Sequence, residues 1–156
     1  MEENIKYPTI EEVSEFLREY GWGFKKIVLS DGSEAIISNY TLEGTKDNIY
    51  ITFKIEGEFV IASTDHFLSA VPVKYASAFL NLNDYIKLVK VYSVNSKDSD
   101  NLEIEVGFEL WGESWNKDTF FAFIDMFCFG IEKTVKMVRQ EAIPHEIRLV
   151  AYGDKR

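Results

Sequence analysis

Cysteine occurs once, at Cys128, in 156 residues. An internal disulfide and a cysteine-based structural zinc site are therefore excluded. Histidine occurs twice, at His66 and His145, far apart and without HxH, HxxxH or HExxH spacing, so nothing in the sequence calls for a metal. Basic charge is scarce: 17 Lys+Arg stand against 26 Asp+Glu, a formal net charge of −9. Such a chain gains little from counterion release at phosphates or from anionic lipid headgroups, so neither nucleic acid nor a membrane surface is an expected partner. Long apolar runs are also lacking. The most apolar stretch, Thr119 to Val138, is interrupted by Asp125, Glu132, Lys133 and Lys136 and does not read as a membrane span. The opening Met1-Glu2-Glu3-Asn4 has no apolar signal region. With a free cysteine, this fits a reducing cytoplasm. No glycine-rich phosphate loop or dinucleotide fingerprint is present, and no cofactor is expected.

What remains is a well-stocked core. Hydrophobic residues make up 46% and aromatic residues 15% of the chain, with 12 Phe, 8 Tyr and 3 Trp. That is a globular composition, and the length fits one domain over residues 1–156. Its ordered core is expected over about 9–141, followed by a tail over 142–156. The first seven residues and Gly153-Asp154-Lys155-Arg156 read as loose ends.

Thr9 with Glu12 forms a capping box for a first helix. Ile10, Val13, Leu17 and Tyr20 recur at helical spacing, Phe16 widens the stripe, and Gly21 stops it. Strands are predicted over Trp22–Leu29, Ala35–Thr41, Ile49–Ile55 and Phe59–Thr64, joined by tight turns such as Asp31-Gly32 and Glu56-Gly57-Glu58. Connections this short make antiparallel hairpins. A second helix starts near Pro72 and carries Tyr75, Ala78, Phe79, Leu82 and Ile86 on one stripe, with Asn83 at its border. Leu88–Val94 and Leu102–Leu110 form a further pair around the polar turn Ser96–Asn101. In the latter strand, Leu102, Ile104, Val106, Phe108 and Leu110 alternate with Glu103, Glu105, Gly107 and Glu109, as one buried and one wet face require. A third helix spans about Lys117 to Glu141, with Pro144 beyond it. Ile147–Tyr152 is either a short added strand or an ordered tail. The order α, three or four strands, α, two strands, α predicts an α+β fold with an antiparallel sheet and helices packed on one face.

The third helix has more apolar residues than one interface needs. Phe120, Phe123, Ile124, Phe127, Ile131, Val135 and Val138 share the natural core side. Ala122, Met126, Phe129 and Met137 lie roughly opposite, among Asp125, Glu132, Lys133 and Lys136. A second patch with a Phe and two Met suits a partner, because methionine surfaces adapt to what they meet. Met126, Phe129 and Met137 are the candidate partner-binding residues. The alternative is that loops or the tail cover them.

Other chemistry has weaker support. Gly112-Glu113-Ser114-Trp115-Asn116 looks like a nucleophile elbow but ends in Asn rather than Gly. Ser114 or Asn116 is more simply a cap for the third helix. Asp98-Ser99-Asp100-Asn101 lacks the glycine and terminal glutamate of a calcium loop. Cys128 reads as a buried thiol, and Glu103, Glu105 and Glu109 as a solvated row. No catalytic residue is expected.

The opening Thr9-Ile10-Glu11-Glu12-Val13, the helix end Tyr20-Gly21-Trp22, the strand series, the string Phe79-Leu80-Asn81-Leu82-Asn83 and the Gly112 turn into a Phe-rich last helix resemble the bacterial YbjN family of sensory-transduction regulators. That family's fold is like that of class I type III secretion chaperones. The resemblance covers roughly Thr9 to Arg139. It implies a non-enzymatic protein, often dimeric, that acts by binding another protein, and it supplies no site residues. The leading expectation is a chaperone-like or regulatory protein-binding module acting as a homodimer. The alternatives are a small-molecule sensor cupping a ligand against Trp111, Trp115 and Tyr85, and a hydrolase using Ser114 or a carboxylate pair.

Overall fold

Thr9 opens the first helix as its side chain predicts. In the computed structural model, which describes residues 8–94 and 100–150, α1 spans Ile10–Tyr20 and the Thr9 hydroxyl accepts from the Glu12 N–H at 3.2 Å. Gly21 ends the helix at φ 97°, a left-handed value that glycine adopts without a side-chain clash, and its N–H closes on the carbonyls of Leu17 and Arg18. Val13 and Leu17 are buried against the core.

Four antiparallel strands follow: β1 (Phe24–Val28), β2 (Glu34–Thr41), β3 (Asn48–Glu56) and β4 (Phe59–Thr64). Alternation decides which side is in. Ile49, Ile51 and Phe53 are buried, whereas Tyr50, Thr52 and Lys54 are only partly covered.

A fifth strand, β5 (Leu68–Pro72), precedes the second helix and was not anticipated. It continues β4 along the same edge of the later strand β7 (Asn101–Trp111) after a jog. Ser63 pairs with Gly107 and Leu68 with Ile104, so Thr64 to Phe67 oppose only Glu105 and Val106. His66 and Ala70 take positive φ values of 52° and 54°. Those two backbone reversals break the period-two pattern by which a strand is recognised in sequence.

Pro72 leads through one turn of 3-10 helix, Val73–Tyr75, into α2 (Ala76–Leu82). The helix is shorter than its stripe suggests. Ile86 is still buried, held by its N–H on the Leu82 carbonyl. β6 (Lys90–Val94) pairs with β7, Val91 facing Val106. Residues 95–99, which carry most of the expected polar turn and half of the Asp98–Asn101 string, lie outside the described residues, as do the terminal segments 1–7 and 151–156.

A 3-10 turn over Gly112–Ser114 precedes α3 (Lys117–Gln140). Asn116 caps it, its side-chain oxygen accepting from the Thr119 N–H at 2.9 Å. The last segment supplies a short strand, β8 (Glu146–Ile147), on the outer edge of β5. It then continues to Val150, whose N–H donates to the Asn48 carbonyl at 2.7 Å.

The result is an eight-stranded antiparallel sheet, ordered β1-β2-β3-β4-β7-β5-β8, with β6 on the free edge of β7. The α+β class and the helices on one face agree with expectation; the number of strands exceeds it. Phe120, Ile124, Phe127 and Ile131 of α3 are fully buried, and Phe108 of β7 meets Phe127 edge-on at 5.6 Å. Gly130 lets α3 pack closely on β7 and the segment before β6, since a Cβ there would stand 3.0 Å from a Val89 methyl and 3.3 Å from a Val106 methyl. No helix among the described residues is long and apolar enough to cross a membrane.

Candidate functional site

α3 divides its surface sharply. Its core side is held by the residues just named. Its opposite side exposes Asp118, Ala122, Asp125, Phe129, Lys136 and Gln140, a spacing of threes and fours that returns to one line of the helix at about 3.6 residues per turn. Phe129 is the large apolar member, 41% exposed. Lys133 lies over its ring at 5.4 Å, within cation–π reach.

One flank of this strip is a polar seam with the end of α1 and with β2 and the turn after it. Glu132 accepts from the Tyr40 hydroxyl at 2.8 Å and from the Glu43 N–H at 3.0 Å. Asp125 accepts from the Tyr20 hydroxyl. Burial, and then the bond to the neighbouring carboxylate, push both tyrosines well above the ordinary phenol value. Both phenols therefore keep their protons and donate to the carboxylates. Between the seam and the exposed strip lies a groove of about 550 Å³, lined by the apolar Cys128, Phe129 and Val135 and by charged side chains of both signs, Glu43, Asp125 and Glu132 with Lys133, Lys136 and Arg139. Burial first, then Asp125 and Glu132, raise the Cys128 thiol to about 12, so it lines the groove as an uncharged group.

The three candidate partner-binding residues fall in different places. Phe129 is exposed at the centre of the strip. Met126 and Met137 are half-buried and pack against the core. Met137 lines a second groove, of about 380 Å³, against Ser77, Ala78 and Tyr85 of the α2 segment. The strip beside Phe129 is thus built from Ala122 and charged side chains more than from methionine. A helical wheel gives the side but not its width: Met126 and Met137 sit at its margin, where α2 and the sheet reach them. The polar seam escaped the sequence reading; its one signal was Asp125 and Glu132, seven residues apart on an otherwise apolar flank.

The other candidates disperse. Ser114 is exposed, and the capping role belongs to Asn116. His145 makes a 2.8 Å ring contact with the Ile143 carbonyl. His66 stands 3.5 Å from Asp65. Among the described residues, no group of three or more His, Cys, Asp or Glu is placed to hold a metal ion. Trp115 belongs to an aromatic cluster with Phe16 and Phe120, Trp111 donates to Glu58 at 3.0 Å, and Tyr85 lies beyond α2. The three aromatics named for a sensor cup therefore occupy three settings.

The acidic row is not uniform either. Glu109 is exposed and pairs with Lys90 at 3.0 Å. Glu105 is half-buried in the jog between β4 and β5, where it accepts from the His66 N–H at 3.2 Å and the Tyr92 hydroxyl at 3.2 Å. Burial raises its carboxyl above the ordinary value, against the lowering effect of those two bonds.

Asn83 ties α2 to the sheet. Its side-chain oxygen accepts from the Val91 N–H at 2.8 Å, and its side-chain nitrogen donates to the Val91 carbonyl at 3.0 Å. Both backbone groups lie on the edge of β6 away from β7, so the amide occupies the place of a further strand.

No protein-family model matches the sequence. No curated protein matches it either. The fold does have a counterpart: the crystal structure of YbjN from E. coli, a candidate transcription regulator, superposes with a TM-score of 0.61 over 95% of this chain and 100% of that one, at 13% sequence identity. The capped first helix, the curled antiparallel sheet and the long last helix of this chain together are the YbjN fold.

Proposed function

We propose that this chain is a non-catalytic regulatory module that works in the cytoplasm by binding another polypeptide, and that it self-associates as a homodimer, in the manner of a chaperone or regulator. One observation carries the reading: Phe129 stands exposed in the middle of the outer side of α3, beside a groove lined in part by apolar side chains. A lone exposed apolar residue is ordinary. A ring flanked by a groove of this size, on the longest helix of the molecule, is a surface on which a second chain can bury area. The likeness in fold to a candidate regulator supports the same class of function.

Light scattering on the wild type and on Phe129→Asp tests it. The wild type is expected to gain mass toward twice 18.0 kDa as concentration rises. The variant is expected to stay monomeric and folded, since Phe129 is an exposed residue outside the buried core. A strictly monomeric wild type, with Phe129→Asp altering neither solubility nor association, contradicts the reading.

A further inference from the structure

The exposed strip of α3 is laid out symmetrically about Phe129. Counting away from that ring, Asp125 lies four residues before it and the half-buried Lys133 four after; Ala122 lies seven before and Lys136 seven after; Asp118 lies eleven before and Gln140 eleven after, with Arg139 adjoining. The half before Phe129 is acidic and the half after it basic.

The helix dipole accounts for the ends of this pattern. Asp118 in the first turn and Arg139 in the last sit where a dipole favours those signs. That effect fades within one turn and does not reach Asp125 and Lys133 in the middle of the helix, where Asp125 accepts from Tyr20 and Lys133 lies over the Phe129 ring. Lys133, Lys136 and Arg139 also make no ion pair among the described residues, in a chain whose net charge is −9.

We infer that the occupant of this face is a second copy of the chain, with the two α3 helices antiparallel and Phe129 on the two-fold axis. This rests on the reading of the protein as a homodimer and adds where and how it associates. A two-fold axis sets each residue against the one equally far on the other side of Phe129. Ring then meets ring, and Asp125 meets Lys133 of the second copy. Ala122 leaves room for the stem of Lys136, and Asp118 lies beside Arg139. A parallel pairing would instead set acidic half on acidic half.

Asp118 to Gln140 spans about 33 Å of helix. A strip of that length and one helix wide is smaller than the ~800 Å² per partner of stable complexes. The expected dimer is therefore concentration-dependent and salt-sensitive.

Charge exchange between two variants tests the register without touching Phe129, Asp125 or Lys133. One carries Lys136→Glu and Arg139→Glu; the other carries Asp118→Lys and Ala122→Lys. All four positions are exposed, and circular dichroism confirms that each variant folds. Sedimentation equilibrium at low salt then reads association of the wild type, each variant alone, and their equimolar mixture. Each variant alone is expected to associate about tenfold more weakly than the wild type, and the mixture to regain association within about threefold of it. Two weakened variants whose mixture stays weak overturn the antiparallel pairing. Variants that associate as the wild type does place the interface elsewhere and overturn this inference, while the homodimer reading stands. A wild type that remains monomeric up to about 1 mM overturns both, because that ceiling corresponds to only ~4 kcal/mol of binding free energy.

Discussion

The side chain of Asn83 grips the backbone of Val91 from both ends, its oxygen on the N–H at 2.8 Å and its nitrogen on the carbonyl at 3.0 Å. A third bond runs from the same nitrogen to the Leu80 carbonyl at 3.3 Å. One side chain thus closes the exit of α2 and blunts the edge of β6. Asn83→Ala leaves both Val91 groups without a protein partner and is expected to cost about 1–3 kcal/mol. Asn81→Ala, at an exposed position two residues earlier, is expected to change stability by less than about 0.5 kcal/mol. Urea unfolding of the two variants gives the comparison, and equal losses contradict the role assigned to Asn83.

Two crowded glycines are expected to respond differently. A Cβ on Gly107 would stand 2.6 Å from the Ala62 carbonyl oxygen, a backbone atom held in the β4–β7 pairing. Gly107→Ala should therefore destabilise by about 1–3 kcal/mol, through overpacking. A Cβ on Gly130 meets side-chain methyls of Val89 and Val106 at 3.0 Å and 3.3 Å, and these can shift. Alanine also gains about 1 kcal/mol over glycine within a helix. Gly130→Ala should be near neutral, and Gly130→Leu strongly destabilising. Thermal unfolding of the three variants decides, and a neutral Gly107→Ala contradicts the close approach.

Glu105 should titrate above the ordinary glutamate range. Its folded value is raised by burial, so the folded state binds the proton more tightly than the unfolded chain does. Its contribution to stability is then present below the unfolded value and is lost as pH rises through the interval up to the folded one. NMR of the Glu105 carboxyl carbon reads the midpoint directly. Glu105→Gln should flatten part of the stability change across that interval. A midpoint at or below the ordinary value contradicts the account.

Cys128 should be a poor nucleophile in the folded protein. With the thiol raised to about 12, roughly one molecule in ten thousand is thiolate at pH 8. Ellman's reagent should react with the native protein at least about a hundredfold more slowly than with the urea-unfolded chain. Comparable rates would mean that the groove beside α3 exposes an activated sulfur.

Much of this fold could be read from local chemistry. The Thr9–Glu12 cap, the stop at Gly21, the hairpins through β4 and the core side of α3 all depend on residues close in sequence. β5 was not legible, because His66 and Ala70 reverse the backbone inside an apolar run and remove the alternation. Glu105 was misplaced for a related reason: the jog brings the His66 N–H and Tyr92 over it, and no pattern within β7 carries that information. At the candidate site, helical spacing alone places Phe129 opposite the core side of α3, and its exposure is a matter of what packs around the helix. The half-burial of Met126 and Met137 depends on what packs beside α3, and the grip of Asn83 on Val91 joins positions whose pairing no periodicity reports.

The central claim is that the outer side of α3 is where a second polypeptide lands. The most direct test places a photo-crosslinking benzoylphenylalanine at position 129, and in a control protein at Lys54 on the opposite face of the sheet. Irradiating each purified protein at high concentration should give a covalent species of doubled mass from position 129 and none from position 54. Doubled mass from position 54 alone, or from neither, contradicts the claim.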